Sequence, residues 1–344
     1  MADQTELMAH LPDHGPLHDL VFLRLAYPTI MLAHEFGLFQ LLNDSEATLE
    51  EVGARLALRP RAAEALVAVS AALGMVRHVA QGRFALSDSG KAFLLPSSPY
   101  FFMPLMKLPE RWLENHQRDY LRNAFRQGDE PTTPWAVIIE QLPAEEIQGF
   151  IALQHAMILP TALALAKNPV FADVRNLLDV GGGSAALSLG IAANHPKIRC
   201  TVMELAPIAR IAQRNIDSYA LEDRVTIHIG DMFNDPWPAG HDGILFGNIF
   251  HDWDVESCAK LARRAFDALE PGGRVLLHEV PLNENKDGAL FAACYSVAML
   301  IHEKGKQYTL AELRTILGEA GFIDFRCEPT AAHYQLISAR KPNA

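Results

Sequence analysis

Leu177-Leu178-Asp179-Val180-Gly181-Gly182-Gly183-Ser184-Ala185-Ala186 runs from apolar residues through three glycines into small helix formers. Such a stretch reads as a buried strand, a tight turn and the first turn of a helix. Further strands are predicted at Cys200–Glu204, Val225–Ile229, Gly243–Asn248, Arg274–Val280, Ile323–Glu328 and His333–Ala339, with helical stretches between most of them. That alternation predicts an α/β class with a Rossmann-like doubly wound, mostly parallel sheet. Only a few residues around Pro329 join the last two runs. They are too few for a parallel crossover, so the last strand is expected to be antiparallel.

Upstream of this region the pattern is helical. Residues 20–42 carry an apolar stripe of Leu25, Met31, Leu32, Phe36 and Phe39. Thr48 followed by Glu51 predicts a capping box at the start of a short helix, Leu49–Leu56. Pro60 opens a helix that Gly74 ends. Met75–Val79 and Arg83–Leu86 flank Gln81-Gly82 as a small hairpin. Helix, short helix, helix and hairpin make a winged helix. Residues 101–170 are helical again but interrupted by prolines, with Pro160 expected to kink or end its helix. The division expected is a winged-helix dimerisation domain at 1–100, a helical linker roofing a pocket at 101–170, and a ligand-binding domain at 171–344.

Composition narrows the function. Apolar residues are 49% and the net charge is −11. An acidic chain is a poor partner for nucleic acid or anionic lipid. Four scattered cysteines with no CxxC pair fit a reducing cytoplasm and no zinc cage. The start, Met-Ala-Asp-Gln-Thr-Glu, has no signal-peptide character. No apolar run approaches the roughly 20 residues of a membrane span. A cytoplasmic location is expected.

Several constellations carry chemistry. Gly181, Gly183 and Ala186 are spaced as GxGxxA, which also satisfies the dinucleotide fingerprint. Glu204 ends the second strand, where a carboxylate can accept from both hydroxyls of a ribose. Asp231 follows the third strand, with Met232 and Phe233 offering apolar faces to a purine. These features suit nicotinamide and adenosyl cofactors alike, so an NAD-dependent oxidoreductase stays open at this point. The next strand stops at His251-Asp252-Trp253, where a histidine can accept a proton near neutral pH.

Asp179-Val-Gly-Gly-Gly, Gly230-Asp-Met-Phe, His251-Asp-Trp, Pro271-Gly-Gly-Arg-Val and Gly321-Phe occur in an order that resembles S-adenosylmethionine-dependent O-methyltransferases. The branch is that of plant caffeate and flavonoid enzymes, vertebrate acetylserotonin methyltransferase and bacterial polyketide-tailoring enzymes. The resemblance spans nearly the whole chain and implies a homodimer built on the winged helix. It implies S-adenosyl-L-methionine held by Asp179, Gly181, Gly183, Glu204, Asp231, Met232, Phe233, Asn248 and Asp252, with S-adenosyl-L-homocysteine as product. It implies His251 as general base toward a hydroxyl of a small aromatic acceptor, Glu279 as the carboxylate that orients it, and no metal. An acceptor pocket is expected around Phe150, Gln154, Met157, Tyr295, Met299 and His302.

The chain departs from the family pattern in three places. Gln307 stands where a second carboxylate is usual, so a weaker base is expected. Ala185 replaces a glycine, tolerable if the backbone there is helical. Gly247-Asn248 stands where many plant members have lysine. C- or N-methylation on the same fold remains an alternative to O-methylation.

Overall fold

The computed structural model describes residues 15–103, 106, 121, 122, 124–126 and 142–343. The chain divides into two compact units, Met1–Lys107 and Leu108–Ala344. The first contains helices α1 (Gly15–Phe22), α2 (Ala26–Glu35), α3 (Leu38–Asp44), α4 (Leu49–Arg55), α5 (Pro60–Ala72) and α6 (Asp88–Phe93), with strands β1 (Ala47–Thr48), β2 (Val76–His78) and β3 (Arg83–Leu86). The strands form an antiparallel sheet in the order β1-β3-β2. The predicted hairpin is β2–β3, and β1 is an addition to it. The Thr48 capping box forms, with Thr48 Oγ1 accepting from the Glu51 N–H and the Glu51 carboxylate accepting from the Thr48 N–H. The single stripe over 20–42 is divided among three helices, because Gly37 takes a φ of 84° between α2 and α3. Leu38, Phe39, Val52, Leu66, Val67 and Leu86 form the core of this unit.

The second unit begins, among the described residues, with α7 (Ala144–Leu165). Then come β4 (Asn176–Val180), α8 (Ala186–Asn194), β5 (Arg199–Glu204), α9 (Ala206–Ser218), β6 (Val225–Ile229), β7 (His241–Gly247), α10 (Val255–Ala268) and β8 (Leu269–Glu279). The unit closes with α11 (Leu290–His302), α12 (Leu310–Glu319), β9 (Ile323–Pro329) and β10 (Gln335–Arg340). The seven-stranded sheet has the order β6-β5-β4-β7-β8-β10-β9, with β10 antiparallel to both neighbours and the β4–β8 pairings all parallel.

Period-two alternation sends successive strand residues to opposite faces. Leu178, Ile244, Phe246, Val275, Leu277 and Ile337 pack on α10 and α12. Leu177, Leu245, Leu276 and Leu336 pack on the other face, with α7, α8 and α9. These near-continuous apolar runs are what a sheet buried on both faces requires.

Two expectations are refined at α7. Pro160 does not end the helix, which runs on to Leu165. The buried Leu159, Thr161, Ala162 and Leu165 carry it across the break, and Thr161 Oγ1 donates 2.7 Å to the Ile158 carbonyl. The close approach of α7 to α8 is set at Gly190, where a Cβ would lie 2.8 Å from Ala162 Cβ. α7 is also long and apolar enough to cross a membrane, with 22 residues and an 18-residue window of mean hydropathy 1.3. Prolines and scattered polar residues hide it from a search for unbroken apolar sequence. Its place is against α8 and α9 of this unit.

Candidate active site

The carboxyl ends of β4, β5 and β6 meet at one edge of the sheet, where Val180 lies in register with Met203 and Glu204 with Ile229. The turn after β4 has no room for side chains. A Cβ on Gly181 would lie 2.6 Å from Ile249 Cδ1, and one on Gly182 2.8 Å from Asp179 Cγ. Gly181, Gly183 and Ala185 have φ values of +66°, +53° and +66°. Ala185 is therefore left-handed, not right-handed helical as the tolerance of its methyl supposed. An L side chain there costs roughly 1–2 kcal/mol.

Two buried carboxylates brace this turn. Asp179 accepts 2.7 Å from Ser188 Oγ, and burial lifts its carboxyl to about 6 against the pull of that bond. Glu204 Oε2 accepts 2.9 Å from the Gly183 N–H and Oε1 2.8 Å from the Leu205 N–H. Burial still pushes Glu204 up to about 7. Asp231 holds its own loop, accepting 2.8 Å from the Phe233 N–H and 2.7 Å from Asn234 Nδ2. Met232 Sδ comes within 3.9 Å of the Cβ position of Gly181, and Phe233 meets Trp253 edge-on at 4.6 Å.

A second group gathers at the carboxyl ends of β7 and β8. Gly247 faces Leu187, whose Cδ1 would be 2.1 Å from a Cβ, so a longer side chain there requires Leu187 to move. Asn248 has a φ of +55°, and its N–H donates 3.1 Å to the His278 carbonyl. Its amide bonds the Tyr334 hydroxyl, while its Oδ1 is buried without a partner.

His251 follows in a 3-10 turn, Phe250–Asp252, and is 3% exposed. Its Nε2 is 3.2 Å from Asp252 Oδ1. Its Nδ1 is 3.1 Å from the Gln307 amide and 3.3 Å from Glu279 Oε2. The Glu279 contact is a charge contact without hydrogen-bond alignment, since Oε2 has no hydrogen-bond partner, whereas Oε1 accepts from the Ile249 and Phe250 N–H groups at 3.0 and 2.9 Å. The aligned position at Nδ1 thus belongs to Gln307. Gly305 makes that possible, because a Cβ there would lie 2.1 Å from the His251 carbonyl oxygen.

Burial disfavours the imidazolium, but Glu279 and then Asp252 outweigh it and lift the ring to about 9. Gln307, from which a weaker base is expected, adds no charge, and the ring is raised nonetheless. Two flanking carboxylates already supply the charge that a third would have added.

Residues 124–323 match the model of the O-methyltransferase domain. The chain belongs to the O-methyltransferase family. It is 31% identical to 3-hydroxy-5-methyl-1-naphthoate 3-O-methyltransferase of Streptomyces sahachiroi, over 87% of this chain and 86% of that one. It is 30% identical to L-tyrosine C(3)-methyltransferase of Streptomyces lavendulae, over 88% and 85%. The structure of the S-adenosylmethionine-dependent methyltransferase SibL superposes with a TM-score of 0.77 at 28% identity, covering 96% of this chain and all (100%) of that one. This O-methyltransferase family member is an S-adenosylmethionine-dependent methyltransferase, which removes the nicotinamide reading of the glycine turn.

The residues fit that cofactor. The turn at 181 and 182 admits only backbone, Glu204 keeps lone pairs beyond its two N–H partners, and Asn248 Oδ1 is buried and lacks a donor. The predicted acceptor residues separate. Tyr295 on α11 stands edge-on to His251 at 5.0 Å, and Met299 on the same helix is buried. The His302 side chain lies outside the described residues. Phe150 packs with Ile147, Ile151, Ile208 and Ile211 between α7 and α9, within the core rather than beside His251. Gln154 and Met157 are half-buried on α7.

Three residues around this group and Tyr295 escaped the sequence reading. Ile158 and Tyr334 join Tyr295 in one apolar cluster. Glu303, whose carboxyl burial and then Asp252 raise to about 8, lies within the field of His251. None sits in a motif. Glu303 and Tyr334 are marked only by position at an element's end, and Ile158 by nothing local.

Proposed function

We propose that this methyltransferase acts on a hydroxyl of a small aromatic or polycyclic secondary metabolite, a phenol by preference, with His251 as general base. The observation that carries this reading is the imidazole at the end of β7, with a buried carboxylate behind Nδ1 and a part-exposed one at Nε2. A phenol with a pKa near 10 is a poor nucleophile until its proton is shared. A ring lifted to about 9 is well matched to that proton.

When bound, S-adenosyl-L-methionine supplies a methyl group made electrophilic by its sulfonium. The chain's own part is to hold and to deprotonate. The glycine turn, Glu204, Asp231 with Met232 and Phe233, Asp179 through the β4 end, and Asn248 hold the cofactor. The acceptor hydroxyl takes the place of the Asp252 carboxylate at Nε2, while Nδ1–H donates toward Glu279 and toward the Gln307 amide with its oxygen turned to the ring, which keeps the ring oriented. As the oxygen is alkylated its proton passes to Nε2, and Glu279 and Asp252 stabilise the resulting imidazolium. Tyr295, Met299 and the neighbouring α7 residues line the acceptor.

A second reading, transfer to carbon, rests on the relative named a C-methyltransferase, which matches this chain as well as the O-methylating one does. A deprotonated phenol is nucleophilic at its ring carbons too, so the same base serves both. Panels of phenols, naphthols and indoles incubated with methyl-labelled cofactor, with the label located in the product, decide between them. Label on oxygen supports the first reading. Label on a ring carbon replaces it, and no turnover of any aromatic acceptor overturns both.

We also propose that the N-terminal unit mediates a homodimer. Leu17, Leu20, Val21, Phe22 and Leu23 on and after α1 are 53–69% exposed. A contiguous apolar face of this kind marks an interface. A monomer in sedimentation at micromolar concentration would refute it.

A further inference from the structure

The cofactor turn is gripped from outside by residues that no step above uses. His155 on α7 places Nδ1 2.9 Å from Ser184 Oγ, directly after the glycines. Asn215 on α9 donates through Nδ2 to the Ser184 carbonyl at 3.0 Å and lies 3.4 Å from the same imidazole nitrogen. His155 Nε2 is 3.4 Å from the Tyr219 hydroxyl, at the end of α9. Ser184 itself is buried.

The pattern balances as one neutral network. Nδ1 accepts from the Ser184 hydroxyl and the Asn215 amide, and Nε2–H donates to Tyr219. Burial holds the His155 ring below the usual imidazole value, which keeps it neutral. The turn it grips has three positive φ values within five residues, one of them at an alanine. Backbone in such conformations persists only where its surroundings over-determine it.

We propose that His155 and Asn215 are positioning residues that clamp Ser184 and keep the 181–185 turn in its cofactor-binding shape. This rests on the reading of that turn as the S-adenosylmethionine site. Removing the clamp lets the turn relax toward conformations that alanine prefers, and the cofactor must then reorder it on binding. Binding to a partly populated competent state weakens in proportion to that population.

Calorimetric titration of the full-length protein with S-adenosylhomocysteine tests the idea. His155→Ala and Asn215→Ala are expected to weaken binding about tenfold. KM for S-adenosylmethionine should rise in step, with acceptor KM and kcat within about twofold of wild type. His155→Gln, which keeps a polar group facing Ser184, should recover most of the affinity. Ala185→Gly relieves the strain, so it should restore several-fold more affinity in the His155→Ala background than it adds to wild type. Equal gains in both backgrounds, or unchanged affinity in both single variants, overturn the clamp. A wild-type protein that binds no S-adenosylhomocysteine overturns the cofactor site itself. If His155→Ala does not fold, Asn215→Ala and His155→Gln carry the same test.

Discussion

The two halves of the site are built on opposite principles. At the ends of β4–β6, buried acids are satisfied by their own neighbourhood: Glu204 by two backbone N–H groups, Asp179 by Ser188, Asp231 by its own loop. At the ends of β7 and β8, the His251 ring is held by side chains from three separate segments, and Asn248 Oδ1 and Glu279 Oε2 lack hydrogen-bond partners. The first half is complete before ligand arrives. The second is held by charge, and the Asp252 contact must yield Nε2 before a hydroxyl can use it. Substitutions should therefore separate, with those in the first half, and at Asn248, changing cofactor affinity and those around His251 changing turnover.

The largest break in that comparison is His251→Ala. Turnover should fall by roughly 10²–10⁴-fold, while calorimetric affinity for S-adenosylhomocysteine stays at the wild-type value. Full turnover in this variant would mean that positioning alone drives transfer.

A smaller but more telling change acts through charge. The ring titrates at about 9 because Glu279 and Asp252 favour its cation, and only the neutral ring can take a proton. The pH–kcat/KM profile should thus rise toward about 9 and level off above it. Glu279→Gln removes the buried negative charge, so the rising limb should move to lower pH and maximal turnover should fall, by roughly tenfold or more. Gln307→Glu adds charge at Nδ1 and should move the limb the other way. A profile that ignores both substitutions would remove His251 from the rate-determining proton transfer.

The first half yields a stability effect. Burial raises the Glu204 carboxyl from 4.5 to about 7. An acid so raised stabilises the fold while protonated, and that contribution is present below 4.5 and lost as pH climbs through 7. Wild-type enzyme without cofactor should therefore lose on the order of 1–3 kcal/mol across this window that Glu204→Gln does not lose. Asp179 titrates in both proteins and cancels apart from its repulsion with Glu204, which adds to the difference. Urea unfolding at the two ends of the window checks the difference, and parallel pH slopes would show that Glu204 is not desolvated.

The same division governed what was legible in the sequence. The half proposed to hold the cofactor is written in contiguous runs, Asp179–Ala186 and Gly230–Phe233, each a strand end plus its own turn, so local pattern singles it out. His251 was legible for the same reason. Glu279 and Gln307 came only through the family resemblance, since nothing local says that segments 28 and 56 residues away in sequence converge on one imidazole. The cluster of Ile158, Tyr295 and Tyr334 is a product of packing alone, and so is the contact of Phe150 with α9. The proline in α7 does not end its helix for a related reason: propensity is local, and packing on α8 overrides it.

Ala185 is the one residue of the first half that local chemistry argues against. Its φ of 66° and ψ of 14° lie in the left-handed region, and it is fully buried. Glycine there removes the side-chain strain but gains freedom in the unfolded chain, which offsets part of the benefit. Ala185→Gly should therefore stabilise by about 0.5–1 kcal/mol, read as a small rise in urea midpoint at unchanged slope. The loss of a buried methyl is a minor opposing term, because the rest of the turn is already braced by Glu204 and Asn215. A destabilised Ala185→Gly would mean that the methyl's packing outweighs its backbone strain, and that the turn is held by its core contacts rather than by its hydrogen bonds.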